Sequence, residues 1–378
     1  MAKRKSRKKL SVTSVILAII FILLAVAGYY VYNKFFKKPD PIIEAKGAIS
    51  FHFMMLGNEN TGDSIYVKAG DNDILIDAGS RANSIDDIKN YIDAYVTDNK
   101  LEYVIATHAD QDHIDGFAKT DGSIFDLYQC ETIIDFAKSN KTTQTYQRYL
   151  AERQAEVDAG AKHYTALECY NNENGAKRVY DLTEDGNVKM EILYNYYYDH
   201  DSSDENNFSV CIMFHHGSRQ FLFTGDLEKE GEEKLAEFYD FSQVELFKAG
   251  HHGSYTSSND CLLSEIKPKM SVVCCCAGAI ERKTRPENLF PSQNFINRMA
   301  KYTSAIYVST AMDYVVPDGA ETVETSDNVG GLITLNGNIQ VISDAEQGVY
   351  VSCSNNNLKL KETEWFKKYR TWPSNGVA

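Results

Sequence analysis

The sequence predicts an α/β layered fold whose chemistry sits where strands end. Three observations point there. Apolar runs of strand character alternate along the body of the chain with segments of helical spacing. Several of those runs lead directly into polar, metal-seeking side chains, as in "LEYVIATHADQDHIDG" (101–116), and open α/β sheets bind ligands at the C-terminal ends of their strands. The 378 residues are 43% hydrophobic and 24% charged, an ordinary globular composition with apolar material for a sizeable core.

The chain opens with "MAKRKSRKKL", a dense basic segment, followed by the uncharged run Val15 to Tyr32. That run is long enough to cross a bilayer as a helix. Residues 1–10 are therefore expected on the cytoplasmic side, 11–33 as a transmembrane anchor, and the body outside, because the positive cluster stays inside. The competing reading is a cleaved signal peptide, with Ala25-Val26-Ala27 as a small-residue cleavage site; the apolar run continues past it, which favours the anchor. Nine of the 39 basic residues lie in 1–38 with none of the 53 acids, so the body is strongly acidic. An acidic body repels phosphate backbones at long range, so a polyanion would need a local basic patch or a metal. Lys248 and the run "ERKTRPE" (Arg282, Lys283, Arg285) are candidates, although a charged run is usually a solvated turn.

Residues 34–47 read as a linker. Strands are expected at "ISFHFMML" (49–56), "DSIYVKAG" (63–70) and "DILIDAGS" (73–80). "SIDDIKNYIDAYVTDN" (84–99) has helical spacing of Ile85, Ile88 and Ile92. "LEYVIATH" (101–108) is a short buried strand. A helix is expected over 145–160 and a strand over "VKMEILYNYYY" (188–198). "FSVCIMFHHGSRQFLFTGD" (208–226) reads as a hairpin with "HHGS" as its turn. A helix over 229–239 and a strand "VELFKAG" (244–250) follow. "SVVCCCAGA" (271–279) reads as a buried strand in which cysteine serves as a small apolar residue. Eight cysteines show no C-x-x-C pair and no framework spacing, so no cysteine metal site is expected. Residues 346–378 receive no assignment.

His108, Asp110, Asp112 and His113 follow the strand at 101–106 with the spacing H-x-D-x-D-H. Imidazole and carboxylate both ligate divalent first-row metals. A helix cap would need one acid and no histidine. Asp226 in "LFTGD" and His251-His252 in "FKAGHHGS" also follow strands. The other "HHGS", at 215–218, sits at a hairpin tip and faces away from strand ends.

Taken in order, "ILIDAGS", "THADQDHIDG", "NNFSV", "LFTGD", "FKAGHHGS" and "GGLITLNG" resemble the metallo-β-lactamase superfamily of hydrolases. More narrowly, residues 48–345 resemble the metallo-β-lactamase domain of the ComEC-type DNA-internalisation competence proteins and its stand-alone relatives. The resemblance implies an αββα sandwich with a site for two divalent ions, Zn²⁺ or Mn²⁺. Asp77 then corresponds to an orienting acid, and the metal ligands would be His108, Asp110, Asp112, His113, Asp226 and His252. Asp110 or Asp112 would accept a proton, and His251 would donate one or bind an oxyanion. Asn207, Ser209, Lys248 and Ser254 would stand behind the ligands or touch substrate. Two departures from the family pattern matter: Asp110 stands where a histidine is usual, and no histidine occupies the third motif, where Asn207 and Ser209 stand. His200 could substitute from a loop, though it reads better as a solvated histidine.

The expected function is a membrane-anchored extracytoplasmic phosphodiesterase or nuclease. A cell-wall teichoic acid or phosphocholine esterase, or a small ester or lactone hydrolase, is the rival. A non-catalytic surface-binding module with a degenerate metal site is the reading of another class. No protein partner is evident.

Overall fold

The structure is a computed structural model that describes residues 46–56, 62–79, 84–274, 285–325 and 332–378. All belong to the compact unit Glu44–Ala378. The basic segment, the apolar run and most of the linker lie outside the described residues, as do Cys275, Cys276, Arg282 and Lys283. Among the described residues, no helix is long and apolar enough to cross a membrane.

The strands in chain order are β1 (Ala48–Phe53), β2 (Ile65–Ala69), β3 (Asn72–Ile76), β4 (Lys100–Ala106), β5 (Gln129–Asp135), β6 (Lys162–Thr165), β7 (Val179–Asp181), β8 (Val188–Leu193), β9 (Cys211–His216), β10 (Arg219–Phe223), β11 (Leu246–Lys248), β12 (Ser271–Val273) and β13 (Ile306–Val308). Two short ribbons, β14 (Thr310–Met312) with β17 (Leu332–Thr334) and β15 (Tyr314–Val315) with β16 (Glu324–Thr325), precede β18 (Ile339–Asp344) and β19 (Gly348–Cys353). One sheet runs β19-β18-β1-β2-β3-β4-β5-β6 and the other β13-β12-β11-β10-β9-β8-β7.

Side-chain alternation explains why both sheets are covered twice. On β1, Phe51 and Phe53 point one way and meet Phe214, Phe221 and Phe223 of the second sheet, with ring centroids 4.8–6.0 Å apart. His52 points the other way, into Tyr66, Tyr91 and Tyr95, beside helix Ser84–Ile92, which buries Ile85, Ile88 and Ile92. On β10, Phe221 and Phe223 belong to the core between the sheets, whereas Leu222 joins a second core. That second core includes Leu235 of helix Lys229–Phe238, Leu262 and Leu263 of helix Asp260–Ile266, and Phe295 and Ile296 of helix Gln293–Met299. The layers are those of an αββα metallo-β-lactamase-type fold.

Three boundaries differ from expectation. The first helix ends at Ile92, and Val96 closes back on it through its backbone N–H to the Ile92 carbonyl. The strand expected over 188–198 ends at Leu193, because the Asn195 side chain accepts the Tyr197 N–H and caps a 3₁₀ turn at Tyr196–Tyr198. The sheet also continues past residue 345: β19 pairs with β18 along six residues, and Trp365 and Phe366 are buried in the second core.

The parallel block β3-β4-β5-β6 and the parallel block β10-β11-β12-β13 deliver their strand ends to one edge of the sandwich. The cluster described next lies at that edge.

Candidate metal centre

β4 runs into Thr107, and His108 to His113 then turn into the short helix Gln111–Ile114. Asp110 is the residue preceding that helix, but its side chain makes no capping bond. Helix capping therefore does not account for the acids. Asp77, at the end of β3, holds a left-handed backbone (φ 60°), a cost of order 1–3 kcal/mol that non-glycine residues bear mainly at functional sites. Its Oδ1 accepts the Thr107 N–H at 2.8 Å, and its Oδ2 accepts Thr107 Oγ1 at 2.8 Å and lies 2.7 Å from His113 Nδ1. The His113 ring is thereby turned so that Nε2 lies 3.2 Å from Asp226 Oδ2.

Asp226 follows β10 through Gly225 (φ 54°). A Cβ at Gly225 would meet Ser209 Oγ at 2.8 Å; that hydroxyl in turn accepts the Asp226 N–H at 3.0 Å. His252, after β11, places its Nε2 3.1 Å from Asp226 Oδ2 and 3.3 Å from Asp112 Oδ2. Its Nδ1 lies 3.1 Å from Asp63 Oδ1 and 3.1 Å from the Cys274 carbonyl oxygen. His251 and His252 both have left-handed backbones (φ 43° and 51°), so consecutive histidines present their rings on different sides of a tight turn.

Four overlapping groups bring possible ligand atoms within 4.8 Å of one another: His108, His113 and Asp226; Asp112, His113 and His252; Asp63, Asp226 and His252; and Asp63, Asp77 and His113. Buried His108 Nε2 has no hydrogen-bond partner, which a bound cation would supply. Imidazole nitrogens and carboxylate oxygens suit a divalent first-row ion, so the residues present fit one.

The electrostatics follow from burial among opposite charges. Burial would raise Asp226, but His252, His113 and Lys248 hold it well below the usual carboxylate range. Burial would lower His113, but Asp226 and Asp77 raise it well above an ordinary histidine. His108 is pushed down to about 4 by burial and by His113. Burial would raise Asp63, yet Lys248 and His252 hold it down to about 2.

The sequence-predicted residues distribute unevenly. His108, Asp112, His113, Asp226 and His252 meet, with Asp77 behind His113. Asp110 does not join the described groups: it is ion-paired with Lys141, and its Oδ2 lies 3.7 Å from His108 Nε2. His251 turns from the cluster toward Glu228, at 3.0 Å, and Thr256 Oγ1, at 3.1 Å. Asn207 braces the chain, its Oδ1 accepting the Glu228 N–H and its Nδ2 donating to Ser202. Ser254 Oγ bonds Thr256 Oγ1. Lys248 is buried and paired with Asp63 and Asp226, so it lies within the cluster rather than on a substrate-facing surface. Arg285 is exposed and pairs with Glu321. His200 is exposed, beside Tyr196 and Asp199. His216 is buried at the hairpin end, between Ser343 and the Lys46 carbonyl. The described cysteines are free.

Sequence reasoning missed Asp63 and Glu228. The antiparallel pairing of β2 with β3 puts the start of β2 beside the end of β3, so Asp63, which precedes a strand, reaches the edge where other strands end.

Residues 57–125 and 204–277 match the metallo-beta-lactamase superfamily. The chain carries a metallo-beta-lactamase domain. The matched stretches contain every member of the cluster described above. Among curated proteins, the chain is 32% identical over 73 residues to ComE operon protein 3 of Bacillus subtilis, covering 19% of this chain and 9% of that protein. It is 28% identical over 102 residues to Recombination protein 2 of Haemophilus influenzae, covering 27% and 12%. It is 39% identical over 72 residues to Competence protein ComA of Neisseria gonorrhoeae, covering 18% and 10%. The chain thus spans about a tenth of the length of these curated relatives. Among solved structures, the metallo-beta-lactamase fold protein YhfI of Bacillus subtilis is similar at a TM-score of 0.38 and 12% identity, over 68% of this chain and 95% of that one. The diiron β-hydroxylase CmlA of Streptomyces venezuelae is similar at a TM-score of 0.34 and 12% identity, over 63% and 45%.

Proposed function

We propose that this chain is a metal-dependent phosphodiester hydrolase, a nuclease or a related phosphodiesterase, held at the outer face of the cell membrane by residues 11–33. Residues 1–10 would stay in the cytoplasm, and the body from residue 48 would carry the activity. The observation that carries the reading is the meeting of His113 Nε2 and His252 Nε2 on one oxygen of Asp226, with Asp112 Oδ2 at 3.3 Å from His252 Nε2. The competence-protein relatives favour phosphodiesters over carboxylic esters.

The ion would be Zn²⁺ or Mn²⁺, and it would lower the pKa of a water toward about 7 and draw charge from the attacked oxygen. Asp77 fixes the tautomer of His113 through Nδ1, and Asp63 stands behind His252 in the same way. Asp112, whose side chain is one-third exposed, accepts the proton of the attacking water. His251, with its Nδ1 held by Glu228, offers Nε2 to the leaving oxygen or to a non-bridging phosphate oxygen.

The test is hydrolysis of bis-p-nitrophenyl phosphate and of single-stranded DNA by the metal-loaded full chain, against p-nitrophenyl acetate. Phosphodiester turnover that disappears in His113→Ala and Asp226→Ala supports the reading. Turnover of the acetate alone would replace it with a carboxylic ester hydrolase. Neither turnover in a folded, metal-loaded chain would leave a binding module.

A further inference from the structure

We infer that this centre holds one tightly bound divalent ion, at Asp112, His113, His252 and Asp226, and that Lys248 and Lys141, paired with Asp226 and Asp110, weaken the carboxylates on which a second ion would draw. The inference rests on the reading of this cluster as a metal centre. Three separate observations lead to it.

The first concerns Asp226. Its Oδ2 faces His113 and His252 at 3.2 and 3.1 Å. Its Oδ1 faces the Lys248 ammonium at 3.2 Å. Lys248 is 2% exposed, donates also to the Gly225 carbonyl at 3.0 Å, and is ion-paired with Asp63. A carboxylate that bridges two ions commonly offers one oxygen to each; here one oxygen is already taken by a buried cation. An ion on that oxygen would bring a second cation against the Lys248 ammonium, which is buried and cannot withdraw into water.

The second concerns Asp110. It stands one residue from a histidine-bearing turn, yet its carboxylate is paired with Lys141. This pair is about 29% exposed, so taken singly it contributes little and would not keep an ion out. It shows where the Asp110 side chain rests when the neighbouring backbone is formed.

The third concerns the third-motif position. Asn207 and Ser209 are both committed to backbone: Asn207 Oδ1 accepts the Glu228 N–H, and Ser209 Oγ accepts the Asp226 N–H. Neither side chain is spare. What remains for a second ion is His108 Nε2, a share of Asp226 Oδ2 and Asp110 Oδ2, which lies 3.7 Å from His108 Nε2 while Lys141 pairs with the same carboxylate. Protein sites that hold zinc tightly supply three or four ligands of their own; here two of the three are shared with another cation or with the first site, so a second ion is held weakly. Lys248 and Lys141 supply positive charge to Asp226 and Asp110, which reduces the pull of those carboxylates on a second ion.

The experiment counts ions. The full chain in detergent is dialysed separately against Mn²⁺ and Zn²⁺, passed through gel filtration, and analysed by inductively coupled plasma mass spectrometry. One ion per chain is expected with either metal. His252→Ala is expected to lose it, and His108→Ala to keep it. The double variant Lys141→Ala, Lys248→Met, shown folded by circular dichroism, is expected to rise toward two. Two ions in the unmodified chain with either metal overturn the inference, as does loss of the ion in His108→Ala or a folded double variant that stays at one. If the double variant does not fold, the unmodified chain and His108→Ala still decide. Bis-p-nitrophenyl phosphate turnover on the same samples separates this inference from the proposed activity. Two ions with turnover defeat the inference alone; one ion without turnover defeats the activity alone.

Discussion

Replacing Asp77 with asparagine keeps its size and changes one acceptor into a donor. The Thr107 backbone N–H, 2.8 Å from Oδ1, requires the amide oxygen on its side. The amide nitrogen then faces His113 Nδ1, which lies 2.7 Å from the present Oδ2. Two donors cannot share that contact, so the ring proton must move to Nε2, the atom 3.2 Å from Asp226 Oδ2. A protonated Nε2 has no lone pair for a metal. Loss of an orienting partner costs roughly 10–100-fold in metal affinity, and the forced tautomer places Asp77→Asn near the upper end, about 2.7 kcal/mol. The assay is competition for Zn²⁺ against a chromophoric chelator, with thermal unfolding as the control for folding. A folded Asp77→Asn chain that binds Zn²⁺ within about threefold of the unmodified chain would refute the tautomer argument.

Other expectations follow from named contacts. Asp135 is buried and bonds Tyr149 at 2.9 Å, Arg153 at 2.5 Å and His163 at 2.9 Å; Asp135→Asn should cost about 3 kcal/mol, read from urea unfolding, because it leaves Arg153 without its counter-charge. Burial lowers His52 to about 4 from an ordinary 6.5, so it stays neutral in the folded chain. Its contribution is full above about pH 6.5 and is lost as pH falls toward 4, roughly 3 kcal/mol in all; urea midpoints at pH 7 and pH 5 should differ less in His52→Phe. Glu228 accepts from Asn206 at 3.1 Å and Thr256 at 2.8 Å and holds His251 at 3.0 Å. Glu228→Gln should therefore slow turnover about 10–100-fold for alkyl phosphodiesters and much less for p-nitrophenyl esters, whose leaving group needs no proton.

The alternation of strand-like and helical segments made the layers legible, because strands covered on both faces read as short apolar runs while the helices keep a 3.6-residue period. The cluster was legible for the same local reason: His108, Asp112, His113, Asp226 and His252 each follow an apolar strand. Asp63 was not, because its place depends on antiparallel pairing with β3 and not on its own neighbours. Asp110 stands at the margin of the cluster: after the turn into helix Gln111–Ile114 its carboxylate pairs with Lys141, while its Oδ2 lies 3.7 Å from His108 Nε2. Lys248 looked like a surface contact because a lone lysine usually is one; only the facing carboxylates reveal it as buried. The strand after residue 345 was hidden by its mixed polar and aromatic composition, which suits an edge strand with partly exposed faces.

The position of β1 bears on how the chain matures. β1 lies between β2 and β18, with Ala48 opposite Asp344. β1, the first of the described strands, must therefore keep one edge open until β18, Ile339–Asp344, has been synthesised. Such distant pairings slow folding and leave nascent edges open to wrong partners.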